Sequence, residues 1–329
     1  MKRSQFKSAR PTSLSLTIPS AAPPPPVREG YLPPKLHKAV SANLIPGCPP
    51  EAASLHQHLH TAQDHIVKGW QPDIEVTLGD RAIIQTLINS ENIRQPGLQL
   101  TYYSSLTAFA DWLIGNKSIC HQHVRAIVAT AENRHHHYYI DCYFTAPGQP
   151  SSLIFLESAT VMHPMPQTVL SQFQQRLDSG GMRNLRIAVI DTCVQSSPAD
   201  CVIFCLSFAL KSLKQKAVFI SMHQQHCTTY SLRPHYEPIP SFDFDIFPIY
   251  PCALLPPDFL RHTHSRRLYQ SIFEQLPPDE RQDAANRLQS LYQERDTAEG
   301  RRQYLVSIEH KRLQLLRRAL IQMGAIANM

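Results

Sequence analysis

The chain lacks several features that would classify it at once. None of its eight cysteines (Cys48, Cys120, Cys142, Cys193, Cys201, Cys205, Cys227 and Cys252) forms a CxxC pair. A chain of 329 residues with 43% apolar content can bury a sizeable core without a disulfide scaffold, so the thiols are expected to work reduced. No apolar run spans a bilayer: the longest, Val202 to Leu210, falls well short of the ~20 residues that a membrane helix needs. The basic N-terminus has no apolar stretch behind it, which argues against a Sec signal peptide. Lys2 occupies the position where N-myristoylation requires glycine. No repeat occurs at solenoid periods. A net charge of +6 with no reader motif ranks nucleic-acid binding low.

Acidic residues are also scarce at the start. Residues 1–40 carry Lys2, Arg3, Lys7, Arg10, Arg28, Lys35 and Lys38 against Glu29 alone, together with the run Pro23–Pro26. Such a polar, Pro-rich segment cannot bury enough apolar surface to offset its ordering entropy, and it is expected to be disordered. A second basic concentration lies between Arg261 and Arg318, and patches of this kind attract polyanions.

From Pro50 the pattern changes. Leu55, Leu59, Ile66 and Val67, and then Ile83, Ile84, Leu87 and Ile88, recur at helical spacing, and residues 105–115 read as a third helix. Arg125–Thr130, Tyr138–Phe144, Leu153–Leu156 and Arg186–Ile190 read as strands, with Gly148–Pro150 turning between the second and third. Val202–Leu213 reads as a buried helix. Residues 233–257 are Pro- and aromatic-rich and irregular, and helices are expected at Asp279–Arg295 and Arg301–Met323. Helices, a strand cluster, a core helix and further helices make an α+β chain. The expected division is a disordered segment at 1–40, a catalytic core at 41–230 and a regulatory portion with C-terminal helices at 231–329.

Three segments of the strand-rich middle carry chemistry. RHHHYYID, Arg134 to Asp141, enters a strand; LIFLE, Leu153 to Glu157, ends one; QSSPADC, Gln195 to Cys201, is a polar loop opening onto the apolar helix. A thiol attacks as thiolate, and the free amides and dipole of a helix N-terminus stabilise that form. An imidazole takes the proton and a carboxylate orients the imidazole. A side-chain amide such as that of Gln195 can donate to the oxyanion of a tetrahedral intermediate. Each residue also has a plain structural alternative: a cysteine heading an apolar helix as a small core residue, a histidine at a strand start as a surface group, a glutamate at a strand end as a solvated one.

These segments resemble the YopJ family, type III secretion effectors placed in the clan of the Ulp1-like cysteine proteases. His136 and Asp141 match its His and the Asp five residues on; that step selects His136 from the run His135, His136, His137. FLE(157)SA resembles the family's Glu context, and QSSPADCVIF resembles its Cys context except that Val202 replaces Gly. Lys211 falls where the family has a Lys on the following helix. Asp73–Val76, Phe259–Thr263 and Ser307–Arg312 resemble further family segments, in the right order.

The resemblance implies a papain-like/Ulp1-like core with an added helical regulatory portion. It implies Cys201 as nucleophile, His136 as base, Glu157 as orienting acid and Gln195 as oxyanion donor. Acetyl would pass from acetyl-CoA through a Cys201 thioester to Ser, Thr or Lys of a host protein, inside the host cell after type III secretion. Inositol hexakisphosphate would activate by binding Lys211, Arg261, His262, Arg266, Arg267, Lys311 and Arg312. Val202 narrows the backbone beside the nucleophile. Arg261 stands where the family usually has a Lys associated with autoacetylation.

Two other readings remain open on the residues alone. One is a protease or deubiquitinase of the same clan, although His137 and Val202 replace the Trp and Gly typical of that branch. The other is a non-catalytic metal-binding protein using Cys120, His121, His123, His135 and His137, or His223, His226 and Cys227, where Cys120-x-x-His123 and His223-x-x-His226 have crude zinc spacing.

Overall fold

The structure, a computed structural model, describes residues 43–132, 135–162, 164–232, 239–240, 244–248, 254–282, 286, 291–297 and 300–327. The expected disorder of residues 1–40 lies outside these. Two helices come first, α1 (Pro50–Val67) and α2 (Ile74–Arg94). Asp73 starts α2 by accepting from the amides of Glu75 at 2.9 Å and Val76 at 3.2 Å, a local reason for an acid at that position. Then follow β1 (Leu100–Tyr103), α3 (Leu106–Gly115), β2 (Gln122–Ala129), β3 (His137–Phe144), β4 (Ser151–Glu157), α4 (Pro164–Ser179) and β5 (Leu185–Asp191). The chain continues through α5 (Cys201–Lys214), α6 (Lys216–Thr229), β6 (Ile239–Pro240), β7 (Asp245–Pro248), a 3-10 turn (Pro257–Leu260), α7 (Arg266–Gln275), β8 (Tyr292–Thr297), β9 (Gly300–Leu305) and α8 (Ser307–Gln322).

Seven strands form one mixed sheet in the order β1-β2-β3-β4-β5-β7-β6. Both faces are covered, which is why its strands read as nearly continuous apolar runs. Tyr138, Ile140 and Cys142 of β3 and Leu153 and Phe155 of β4 pack under α3 and α4. The alternate residues, Tyr139, Ile154 and Leu156, meet α5 and α6, and α1, α2 and α8 extend that core outward. This is the expected α+β arrangement, and the four expected strands are β2 to β5. Among the described residues no helix is long and apolar enough to cross a membrane.

The C-terminal portion departs from expectation. Residues 278–282 and 286 are helical, but Tyr292 to Arg295, the end of the expected Asp279–Arg295 helix, belong to β8, and the expected Arg301–Met323 helix begins only at Ser307. β8 and β9 form an antiparallel hairpin, Tyr292 opposite Leu305 and Thr297 opposite Gly300. Gln, Glu and Arg suit a helix locally. Here the buried Gln293, Leu305 and Val306 hold the hairpin base against the core, and tertiary packing overrides propensity.

Candidate active site

Sheet topology brings three chain segments to one end. β4 and β5 run parallel, with Glu157 opposite Asp191 at their C-terminal ends. β3 runs antiparallel to β4, so its N-terminal end, with His136 and His137, reaches the same place. The loop after β5 then delivers Cys201 as the first residue of α5.

His136 Nε2 lies 2.7 Å from Glu157 Oε2. A carboxylate only accepts, so Nε2 carries the proton and Nδ1 is left as the ring's base. The other Glu157 oxygen accepts from the amide of Ala159 at 2.6 Å, which fixes the fully buried carboxyl. Tyr138 supports the imidazole edge-on at 5.2 Å between ring centres. The His136 side chain is 26% exposed, whereas Glu157 is sealed, so the pair meets solvent at the imidazole. Burial opposes charging of His136, but the Glu157 carboxylate and the Cys201 sulfur outweigh it and raise the imidazole to about 10. For Cys201, burial pushes the thiol up; hydrogen bonds and charge from His136 and His137 outweigh that and bring it down to about 7. The two shifts together favour a thiolate–imidazolium pair near neutral pH. In the thiol form Cys201 Sγ donates to the His135 carbonyl at 2.8 Å.

His137, singled out in the sequence as a candidate metal ligand and as the replacement for a Trp, is instead a neighbour of the Cys201 thiol: its Nδ1 lies 3.7 Å from Cys201 Sγ and bonds the His135 carbonyl at 3.0 Å. Its place on β3's α5 face follows from strand alternation. Gln195 is a brace. Its Oε1 accepts from Ser158 Oγ at 2.7 Å, its Nε2 donates to the Ser197 carbonyl at 2.6 Å, and its backbone amide bonds the Ser158 carbonyl at 2.8 Å. One amide hydrogen is left for an oxyanion. Val202 is buried in the α5 core, pointing to packing as its local role.

Four of the expected anion-binding residues form a cationic cluster. Lys211 is buried, donates to the Phe259 carbonyl at 3.4 Å, and is lowered to about 7 by burial and then by Lys311, Arg261 and Lys214, against the pull of Asp258. Lys311 is lowered to about 8 by burial and then by Arg318, Arg94 and Arg261, with Glu91 opposing. His262 is held well below its usual value by burial and then by Lys211, Lys311 and Arg261; its Nδ1 lies 2.7 Å from Ser307 Oγ. Lys214, Arg94 and Arg318 join the cluster without having been expected there. Mutual repulsion of this kind is what a polyanion relieves. The side chains of Arg266 and Arg267 lie outside the described residues. Arg312 is set apart: it is buried, with Nη2 2.6 Å from Asp200 Oδ1 and Nε 2.9 Å from Asp80 Oδ2, so two internal carboxylates already engage its cation.

The zinc spacings are not what the fold assembles. His123 and His223 instead meet at Asp141, with candidate ligand atoms all within 4.8 Å of one another. His123 Nε2 bonds Asp141 Oδ1, as does His223 Nε2 at 3.0 Å. The second oxygen accepts from Tyr139 and faces Arg125 Nε at 3.7 Å. Asp141 is thus satisfied on both oxygens, and the guanidinium opposes a cation there. His226 bonds Ser152 instead, at 2.8 Å, and His121 is exposed.

Known proteins resemble this chain in sequence and in fold. A family model described as YopJ Serine/Threonine acetyltransferase matches residues 55–318. A curated serine/threonine-protein acetyltransferase of Sinorhizobium fredii is 30% identical over 176 residues, 52% of this chain; the match spans 64% of that relative's length. Among solved structures, HopZ1a in complex with IP6 and CoA superposes with a TM-score of 0.65 at 19% identity, covering 87% of this chain and 95% of that one. AvrA with IP6 and CoA superposes with a TM-score of 0.67 at 15% identity, covering 83% and 99%. The shared fold is a papain-like core with added helices. Fold, ordered motifs and family match converge on one statement: this chain belongs to the YopJ serine/threonine acetyltransferase family.

Proposed function

We propose that the protein transfers acetyl from acetyl-CoA, through a thioester on Cys201, to serine, threonine or lysine of a host protein. The observation that carries the reading is the His136 bridge: one ring nitrogen on buried Glu157 at 2.7 Å, the ring coupled to a thiol already drawn down to about 7. The thiolate attacks the thioester carbonyl of acetyl-CoA, and the CoA sulfur leaves with the His136 proton. His136 then takes the proton of the acceptor group as that group attacks the acetyl-Cys201 carbonyl, and the Cys201 sulfur leaves as thiolate. Free amides at the start of α5 and the remaining amide hydrogen of Gln195 serve the oxyanion in both halves.

The cluster of Lys211, Arg261, His262 and Lys311 supports inositol hexakisphosphate as activator, with Arg266 and Arg267 as further donors. The two superposed structures, each bound to IP6 and CoA, support the same pairing of ligands. In this reading residues 41–230 hold the catalytic core and residues 231–329 a regulatory portion that closes over α1 and α2. Delivery by a type III system into the host cell goes with the family.

The test uses the full chain with labelled acetyl-CoA, with and without inositol hexakisphosphate. Label on Cys201, released by hydroxylamine and stimulated by the polyphosphate, is the expected result. Cleavage of a ubiquitin-like fusion without acetyl transfer would overturn it in favour of the protease. Bound metal at stoichiometry with no labelling would favour the binding protein.

A further inference from the structure

Among the described helices whose N-cap position holds Asp or Ser, three begin on a side-chain cap, and the helix bearing Cys201 does not. Asp73 caps α2 through the amides of Glu75 and Val76, Ser105 caps α3 through Ala108 at 3.0 Å, and Ser265 caps α7 through Leu268 at 3.2 Å. α5 has an aspartate, a preferred N-cap residue, at its N-cap position, yet Asp200 makes no side-chain cap bond. Its carboxylate is turned away. Oδ1 accepts from Arg312 Nη2 at 2.6 Å; Oδ2 accepts from Ser197 Oγ and faces His264 Nε2 at 3.7 Å.

Arg312 is itself held from behind. Its Nε reaches both oxygens of Asp80 on α2, at 3.0 and 2.9 Å, and Asp80 Oδ1 lies 2.8 Å from His58 Nε2 on α1. Arg312 Nη2 also donates to the Ala199 carbonyl at 3.3 Å, fixing the residue before Asp200. The guanidinium and both carboxylates are buried.

The position of Asp200 matters because Cys201 is the next residue. A released Asp200 carboxylate would be an unpaired anion one residue from the sulfur, and a backbone turn from its ψ of 2° toward the extended ψ of −164° at Asp73 would bring it onto the first amides of α5. It would occupy the donors that stabilise a thiolate at a helix start and bring a like charge beside it; both effects disfavour the ionised sulfur. We propose that Arg312 is a positioning residue for Cys201: by holding the Asp200 carboxylate off the N-terminus of α5, it keeps those amides free for the sulfur and for the oxyanion. A lysine, with one point charge, cannot fork to Asp80 and Asp200 together.

The inference rests on Cys201 as nucleophile, and the experiment separates the two. The rate of Cys201 alkylation by iodoacetamide is followed against pH by peptide mass spectrometry, in full-length wild type, R312M, R312M/D200A, R312K and R312K/D200A, beside kcat and KM for acetyl-CoA. R312M is expected to raise the alkylation midpoint by about one pH unit and to lower kcat about tenfold with KM little changed. Adding D200A should move the midpoint back toward wild type, because the carboxylate that does the damage is gone. R312K should shift the midpoint less and in the same direction, with the same rescue by D200A; if R312M does not fold, the lysine pair decides. An unshifted midpoint in a folded Arg312 variant, or a double variant no better than its parent, overturns the proposal. A wild-type Cys201 that titrates as an ordinary thiol overturns the nucleophile reading itself.

Discussion

Glu157 and Asp141 sit on neighbouring strands, and each accepts from histidine Nε2 atoms: Glu157 from His136 at 2.7 Å, Asp141 from His223 at 3.0 Å and from His123. Their surroundings separate them. Glu157 ends β4, so its imidazole stands at the rim of the sheet beside Cys201 and partly in solvent. Asp141 lies within β3, under α5 and α6, where Tyr139 and Arg125 take its second oxygen. The first carboxylate raises the His136 imidazole to about 10 against burial. At the second, burial still wins over the Asp141 bond and leaves His223 lowered; the bonds and charges of His123 and His223 hold Asp141 itself well below the usual carboxylate range, against its own burial. The strand end places a carboxylate–imidazole pair within reach of a thiol and solvent, as the proposed mechanism needs; mid-strand burial leaves the other pair with protein partners alone.

The largest expected effect sets the two carboxylates against each other. Glu157→Gln should cut acetyl transfer about 10²–10⁴-fold by loosening the imidazole and its tautomer. Asp141→Asn should leave kcat of the folded protein within about threefold, as a distant and independent site does. Loss of activity in both, with folding intact by circular dichroism, would erase the distinction. Asp141→Asn should instead cost about 3–5 kcal/mol of stability in urea titrations, because buried histidines and Arg125 lose their partner.

The pH profile sharpens the contrast. With the thiol at about 7 and the imidazole at about 10, kcat/KM should rise through the first and fall through the second. Glu157→Gln removes the carboxylate that raises His136, so the alkaline limb should move down; Asp141→Asn should leave both limbs in place. The smallest effect is on acid stability. Asp141 is depressed in the fold, so its contribution is complete above the ordinary carboxylate value of about 4 and is lost as pH falls through the lower folded value. The stability difference between wild type and Asp141→Asn should therefore close only in acid.

The candidate site was legible because each residue belongs to a short, locally ordered motif: His136 before a strand, Glu157 ending one, Cys201 heading an apolar helix. Apolar runs doubly covered by helices made β2 to β5 readable too. The β8–β9 hairpin was not, since its Gln, Glu and Arg residues favour a helix until a core takes Gln293 and Leu305. Arg312 illustrates the limit of motif reading. In sequence it belongs to a basic run beside Lys311 and looked like part of the anion site. In the fold, one step along α8 turns it inward to Asp80, 232 residues away.

What the sequence determined by itself is the chemistry: a thiol at a helix start, an imidazole and a carboxylate in chain order, and basic residues in excess toward the C-terminus. Those depend on residue type and local spacing, which a single chain displays directly. Tertiary structure decided the surroundings of like groups: which of two buried acids lies at a strand end beside a thiol, which cations crowd together and repel one another, and which arginine is buried between Asp80 and Asp200. Such assignments depend on burial and on partners brought from distant segments, and charges desolvated in a core answer to those neighbours far more strongly than to their neighbours in sequence.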